Sequence, residues 1–175
     1  MNSGTRRQIN NIAETIRDVL KVKTPVNNIE EIITRINGTI KRIDILPDDA
    51  EGKIYRDGES FVIEIPRMDN PLREKFTIAH ELGHLFLHMG YLTDKDIWNE
   101  NENKVYLRKE IGEMEYQAHE FAAAFLMPRS EFYNIMNENY NGDGTYSMDN
   151  VADYFGVSVE AAVNRGRWLE ILAWG

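Results

Sequence analysis

The sequence predicts an α+β domain in which a small three-stranded sheet packs on a central helix, followed by further C-terminal helices. Three observations support this fold class: helical spacing near the N-terminus, three consecutive strand patterns, and strongly apolar helical segments after residue 70. The 175 residues suffice for one core and contain no repeat or Pro/Ser-rich linker. We therefore expect one domain over 1–175, with N-terminal helices over 1–38, a central core over 39–128 and a helical part over 129–175.

The N-terminal region is predicted to form two helices. Apolar residues recur at helical spacing from Ile9 to Leu20, which indicates an amphipathic helix that ends before Pro25. A second, shorter helix is expected from about Asn28 to Ile36, because the following Asn37-Gly38 pair is typical of a helix C-terminus.

Three strands are predicted next, where the apolar period changes to two. They cover residues 39–45, 53–55 and 61–65, and Asp57-Gly58 is typical of a turn between the last two.

Helical spacing returns in the second half of the chain. The segment from Pro71 to about His88 is apolar on most sides, which predicts a buried central helix. The polar segment over 90–109 is predicted to be a loop, and a second strong helix is expected from Ile111 to Met127, where Pro128 ends it.

Composition excludes several classes of protein. The net charge of -9 argues against a large basic surface for nucleic acid or an anionic membrane. Because the sequence has no cysteine, disulfides, thiolate metal sites and cysteine nucleophiles are excluded, and any metal must be held by histidine and carboxylate. No segment resembles a secretory signal or is apolar enough to span a membrane, so a cytoplasmic location is expected.

The central helix contains His80-Glu81-Leu82-Gly83-His84, an instance of the H-E-x-x-H pattern. Residues four apart lie on one face of a helix, so both imidazoles can bind one metal ion while the glutamate lies beside them as a general base. These polar groups would be costly to bury in so apolar a helix without partners. The alternative is a pair of core histidines bonded to backbone carbonyls.

A catalytic zinc site usually has three protein ligands and one open position. The histidine that a metzincin would supply is missing, because Leu87 stands at the glycine position of that motif and Gly90 at the histidine position.

The helix predicted over 111–127 offers a carboxylate instead. Glu115 falls on its apolar stripe, and a carboxylate that faces the core is expected to be neutralised or bound, which selects Glu115 as the third ligand. An ion pair with lysine or arginine is the alternative. The other polar residues of this helix are predicted on the opposite side: Glu113, Gln117 and Glu120.

Four further residues are candidates for supporting roles. His119 follows Glu115 by one turn, and His88 follows His84 by one turn, so either can bond a ligand from outside the metal sphere. Tyr91 and Tyr106 join them as candidates for stabilising an oxyanion, and the sequence leaves this choice open.

Two segments in this order, REKFTIAHELGHLFLH over 73–88 and EYQAHEFAAAFLMP over 115–128, resemble the ImmA/IrrE metallopeptidases. The resemblance implies a zincin-type core that binds Zn2+, with a second helix supplying the third ligand. The family's ligands fall on His80, His84 and Glu115, and its general base falls on Glu81. One position departs from the family: His119 stands where it usually has Asn or Asp.

The resemblance also implies a substrate, because family members cleave helix-turn-helix repressors and so release genes of mobile elements or stress responses. In zincins the substrate lies extended along an edge strand, for which Phe61 to Ile65 or the strand beside it is the candidate. The alternatives are a non-catalytic regulatory module that binds a repressor or DNA with a structural metal, and a zinc hydrolase of small molecules.

The C-terminal part has helix-turn-helix-like spacing over Val151 to Val163, followed by Arg165 and Arg167. We interpret it as a packing hairpin of the peptidase rather than a DNA-binding element, because the chain is acidic. A surface for docking a repressor is a third interpretation.

Overall fold

The computed structural model describes residues 1–47, 50–102, 104–107 and 112–174. It confirms the α+β class, with eight helices and four strands in these residues. In chain order the helices are α1 (Ser3–Leu20), α2 (Ile29–Arg35), α3 (Pro71–Leu87), α4 (Lys95–Glu100), α5 (Glu113–Leu126), α6 (Arg129–Glu138), α7 (Met148–Phe155) and α8 (Val159–Trp168). None of these helices is both long and apolar enough to cross a membrane.

The strands form one mixed sheet with the order β1-β3-β2-β4. The strands are β1 (Gly38–Ile43), β2 (Lys53–Asp57), β3 (Ser60–Pro66) and β4 (Val105–Leu107). The first pairs parallel with β3, whereas β2 pairs antiparallel with both β3 and β4. The prediction of a three-stranded sheet is therefore wrong by one strand.

The missed strand lies in the segment predicted to be a loop, which also contains α4. Three residues are too few for a period-two pattern, and β4 is held by its pairing with β2 rather than by its own sequence. Trp98 of α4 is buried, with its ring against Tyr91, so this polar segment is fixed by a few apolar contacts. Residues 103 and 108–111, which include the predicted first residue of the second strong helix, lie outside the described residues.

The sheet order corrects the prediction for the edge strand. The segment Phe61 to Ile65 belongs to β3, which pairs on both sides and is central. The strands at the two edges are β1 and β4, so the alternative prediction, a strand beside this segment, is met by β1. Strand β4 pairs with β2 alone within the described residues.

Helix α5 is buried on two sides, because it packs against α3 and also against α1. Glu120, predicted on the outer side of α5, is only 5% exposed and accepts hydrogen bonds from Asn10 and Arg165. The single-stripe prediction for this helix is therefore wrong at Glu120. A helix between two partners needs two buried faces, which one amphipathic pattern does not reveal.

Helices α7 and α8 pack against each other around Gly156, which has a left-handed backbone. Arg165 on α8 is 1% exposed and its guanidinium bonds Glu120 and the carbonyl of Met127. This guanidinium lies in the interior between α8 and α5 and does not project from an outer face that could meet a DNA backbone, which agrees with the interpretation of this segment as a packing hairpin.

Candidate metal centre

Helix α3 carries the H-E-x-x-H motif through the centre of the molecule. The side chain of Asn70 caps the helix by accepting hydrogen bonds from the backbone of Leu72 and Arg73, and Pro71 stands at the first helical position. The middle of the helix, from Thr77 to Phe86, is buried against the sheet and α5. Both motif histidines therefore project into the interior, where their orientations are fixed by packing.

Three donor groups converge between α3 and α5. His80 Nε2 lies 3.0 Å from Glu115 Oε2, and His84 Nε2 lies 3.0 Å from Glu115 Oε1. The two Nε2 atoms are 3.2 Å apart. Zinc with bonds of about 2.0–2.1 Å in tetrahedral geometry separates its ligand atoms by about 3.3 Å. The donor triangle formed by His80, His84 and Glu115 therefore has about the size that such an ion requires, although each Nε2 atom meets a different oxygen of the carboxylate.

The carboxylate supplies the negative charge of this cluster. Burial raises the pKa of Glu115, but the contacts of its carboxylate with His80 and His84 outweigh this effect and lower the pKa to about 2. Glu115 is thus ionised at neutral pH, and its side chain remains 20% exposed. A cation held here would be reached from solvent on the Glu115 side.

A chain of hydrogen bonds orients the second histidine. His88 Nε2 lies 3.0 Å from Gln117 Oε1, which can only accept, so the proton of His88 is on Nε2. Burial lowers the pKa of His88 to about 4, so its Nδ1 is an acceptor at neutral pH. That nitrogen lies 3.0 Å from His84 Nδ1, which must then donate. The lone pair of His84 Nε2 is consequently directed into the donor triangle.

Gln117 is predicted on the side of α5 opposite Glu115, so the sequence does not place it in this series of hydrogen bonds. Its signal is absent from the sequence, because the contact depends on how α5 packs against the end of α3. His88, by contrast, lies one turn after His84 in the sequence and is found against it.

Gly83 allows the two helices to approach closely. A Cβ atom on Gly83 would lie 2.8 Å from the Cα of Ala118 on α5, too close for a backbone that has no room to move. A glycine in a helix interior costs about 1 kcal/mol relative to alanine, so its presence here indicates a packing requirement. The approach brings Glu115 within reach of both histidines.

Glu81 is fully buried and lies beside the loop that precedes β2. A Cβ atom built on Gly52 of that loop would lie 2.3 Å from Glu81 Oε1. The carboxylate therefore occupies space that only glycine leaves open. Within the described residues, the three-residue donor cluster consists of His80, His84 and Glu115, so Glu81 stands beside it rather than in it.

The remaining candidates separate into two groups. The ring of Tyr106 lies 5.5 Å from that of His84, and the exposed ring of His119 lies 5.8 Å from that of His80. Tyr91 is buried away from the donor triangle, with its hydroxyl donating to the carbonyl of Ile36 at 2.6 Å. Tyr91 is therefore committed to the core.

The fold and the site define a class: an α+β protein with a candidate metal centre built from an H-E-x-x-H helix and a glutamate of a second helix. The sequence model of the IrrE N-terminal-like domain, Peptidase_M78, matches residues 35–166. Metallopeptidase ImmA of Bacillus subtilis (strain 168) is 31% identical over 149 residues, which cover 83% of this chain and 78% of that protein. The chain therefore belongs to the ImmA/IrrE family of metallopeptidases.

A solved structure agrees with this fold. A Mycobacterium tuberculosis transcriptional regulator matches 92% of this chain with a TM-score of 0.62 and 20% sequence identity. At that identity the likeness concerns the fold alone. This chain spans 46% of the length of that solved structure.

Proposed function

We propose that this protein is a zinc-dependent endopeptidase, with zinc held by His80, His84 and Glu115 and with Glu81 as the general base. The observation that carries the proposal is the donor triangle, in which each Nε2 lies 3.0 Å from one oxygen of Glu115 and the two Nε2 atoms lie 3.2 Å apart. These distances are close to those around a tetrahedral zinc ion whose fourth position is open. Nitrogen and oxygen donors without thiolate are typical of zinc in hydrolases.

When bound, zinc would supply a Lewis acid that polarises the scissile carbonyl and acidifies water. Glu81 takes a proton from the attacking water and passes it to the nitrogen of the leaving amine, so the carboxylate is regenerated. Its burial excludes bulk water from the proton path. The hydrogen bonds from Gln117 through His88 to His84 hold the imidazole of His84 in the tautomer that leaves its Nε2 free to bind the metal.

The substrate backbone is proposed to pair with the outer edge of β4. This strand is the edge beside the donor triangle, because the ring of its Tyr106 packs on His84. Main-chain hydrogen bonds to an edge strand hold a peptide extended while side-chain pockets select its sequence.

The protein substrate is proposed to be a helix-turn-helix repressor, on the basis of the family resemblance. The test is to incubate the zinc-loaded protein with helix-turn-helix repressors encoded near its gene and to analyse the products by intact-mass spectrometry. We expect one repressor to yield two fragments whose masses sum to that of the intact protein plus one water. A chelator should stop the reaction, and added zinc should restore it.

A repressor that binds but stays intact with zinc present, equally for wild type and Glu81→Gln, would instead support the non-catalytic regulatory module.

Gly52→Ala tests the placement of the base. We expect kcat to fall by about 10²-fold, because the new methyl group displaces the carboxylate of Glu81 by roughly 1 Å or more. Zinc content should change little, because Glu81 stands outside the donor cluster. Thermal stability should fall, because Glu81 is fully buried and Thr77 Cγ2 also lies only 3.2 Å from the added atom. Activity, zinc content and thermal unfolding are measured on the same preparation.

The matched control is Gly112→Ala, where an added Cβ meets no atom within 4 Å. If Gly52→Ala keeps wild-type kcat, Glu81 does not act from the position seen here.

A further inference from the structure

A cavity of about 500 Å³ opens beside the candidate metal centre. It lies between α1, α5, α8 and the middle of α3, and its size is that of a typical ligand pocket. Its aromatic lining residues are Phe76, Tyr116, His119, Trp168 and Trp174. None of these side chains was assigned a role in the proposed peptide hydrolysis.

The aromatic walls of this cavity are unusually open to solvent. Tyr116 is 55% exposed, Trp168 is 44% exposed and Trp174 is 57% exposed. The two indole rings meet edge to face, with centroids 4.6 Å apart. Large aromatic side chains that stay exposed together in a concave site indicate a binding surface for an apolar group.

The floor of the cavity carries an excess of positive charge. Arg6 and Arg165 both line the cavity, and both pair with the one carboxylate of Glu120 at 3.2 and 3.1 Å. Glu14 and Arg129 also interact electrostatically with Arg165, and their opposite charges offset each other. The excess of positive charge on the floor therefore remains.

One donor of this floor has no partner. The side chain of Arg165 is fully buried, and its Nη2 group makes no hydrogen bond within the described residues. A buried guanidinium with an unused N–H is complementary to an incoming carboxylate oxygen. The protein as a whole carries a charge of -9, so this positive floor is a local feature and not part of a basic surface.

The cavity is adjacent to the metal centre, from which the ring of His119 separates it. His119 and Phe76 line it, and their rings contact each other with centroids 4.9 Å apart. The ring of His119 also packs against His80, one corner of the donor triangle. A substrate peptide bound at the metal centre can therefore place a nearby side chain in the cavity.

We infer that this cavity is a specificity site that binds a bulky apolar side chain of the protein substrate together with an adjacent acidic residue. The aromatic walls receive the apolar group, and the floor formed by Arg165 and Arg6 receives the carboxylate. The inference rests on the proposed peptidase function for the identity of its occupant.

The test measures binding without turnover. The zinc-loaded protein is titrated with N-acetyl-Phe-Glu-amide and N-acetyl-Phe-Gln-amide, and the change in tryptophan fluorescence, to which Trp168 and Trp174 of the cavity contribute, is recorded. We expect saturable binding of the glutamate peptide with a Kd about tenfold lower than that of the glutamine peptide, because only the former offers a charge to Arg165.

The cavity-filling variant Ala161→Phe should weaken binding of the glutamate peptide at least about tenfold, because Ala161 lines the cavity. The control is Val159→Phe, which adds the same ring at a 40% exposed position of the same helix outside the lining. Zinc content is measured on both variants and should match wild type.

The titration of wild-type protein is decisive by itself. Equal affinity for the two peptides, or no saturable binding of either, would overturn the inference. Phenylpropionate is titrated in parallel, and tighter binding of this free acid than of the peptide would assign the cavity to a small aromatic carboxylate instead. Failure of the peptidase proposal has a separate signature, which is that zinc-loaded wild type and Glu81→Gln both leave the bound repressor intact.

Discussion

Glu81→Gln is expected to lower kcat for substrate cleavage by about 10²–10⁴-fold, the contribution of a positioned general base. Glutamine keeps the size of the side chain but cannot take a proton from water at neutral pH. Because Glu81 stands outside the three-residue donor cluster, the variant should retain its zinc. Cleavage is followed over time by the appearance of the two product fragments, with zinc content determined on the same sample.

The control is Glu113→Gln, which removes a carboxylate of α5 that is 62% exposed. This variant should cleave at the wild-type rate. Retention of most of the activity by Glu81→Gln would show that another group serves as the base.

Glu115→Ala is expected to reduce zinc affinity by more than about 100-fold. The change removes one of three proposed ligands and the only anionic one, whereas outer residues of metal sites already contribute about 10–100-fold. Elemental analysis after dialysis should give about one zinc per chain for wild type and Glu81→Gln, and little for Glu115→Ala. Competition with a chromophoric chelator converts this difference into a ratio of affinities.

Glu113→Ala is the matched variant, two residues earlier on the same helix, and should bind zinc like wild type. Circular dichroism separates loss of a ligand from loss of the fold. A folded Glu115→Ala protein that keeps a full complement of zinc would remove Glu115 from the ligand set.

The parts of the fold that were predictable are those that local patterns determine. Helix α3 has a cap, a proline at its first position and a long apolar run, so its bounds follow from the sequence within one residue. A carboxylate on an apolar face needs a partner, which singles out Glu115, and the structure places it against both motif histidines. The ligand roles of these residues remain predictions that the experiments above test.

The parts that were missed depend on tertiary contacts. Strand β4 exists through its pairing with β2, and Gln117 joins His88 only because the C-terminal end of α3 faces α5. Glu120 and Arg165 form an ion pair in the interior across 45 residues of sequence. No spacing rule connects positions so far apart, since their meeting is set by the packing of whole helices.

The most direct test of the metal centre is anomalous diffraction at the zinc edge from crystals of zinc-loaded Glu81→Gln. We predict one peak, bonded to Nε2 of His80, Nε2 of His84 and a carboxylate oxygen of Glu115 at about 2.0–2.2 Å. Zinc bound elsewhere, or no zinc peak within this triangle from a protein supplied with excess zinc, would contradict the proposed centre and the peptidase mechanism built on it.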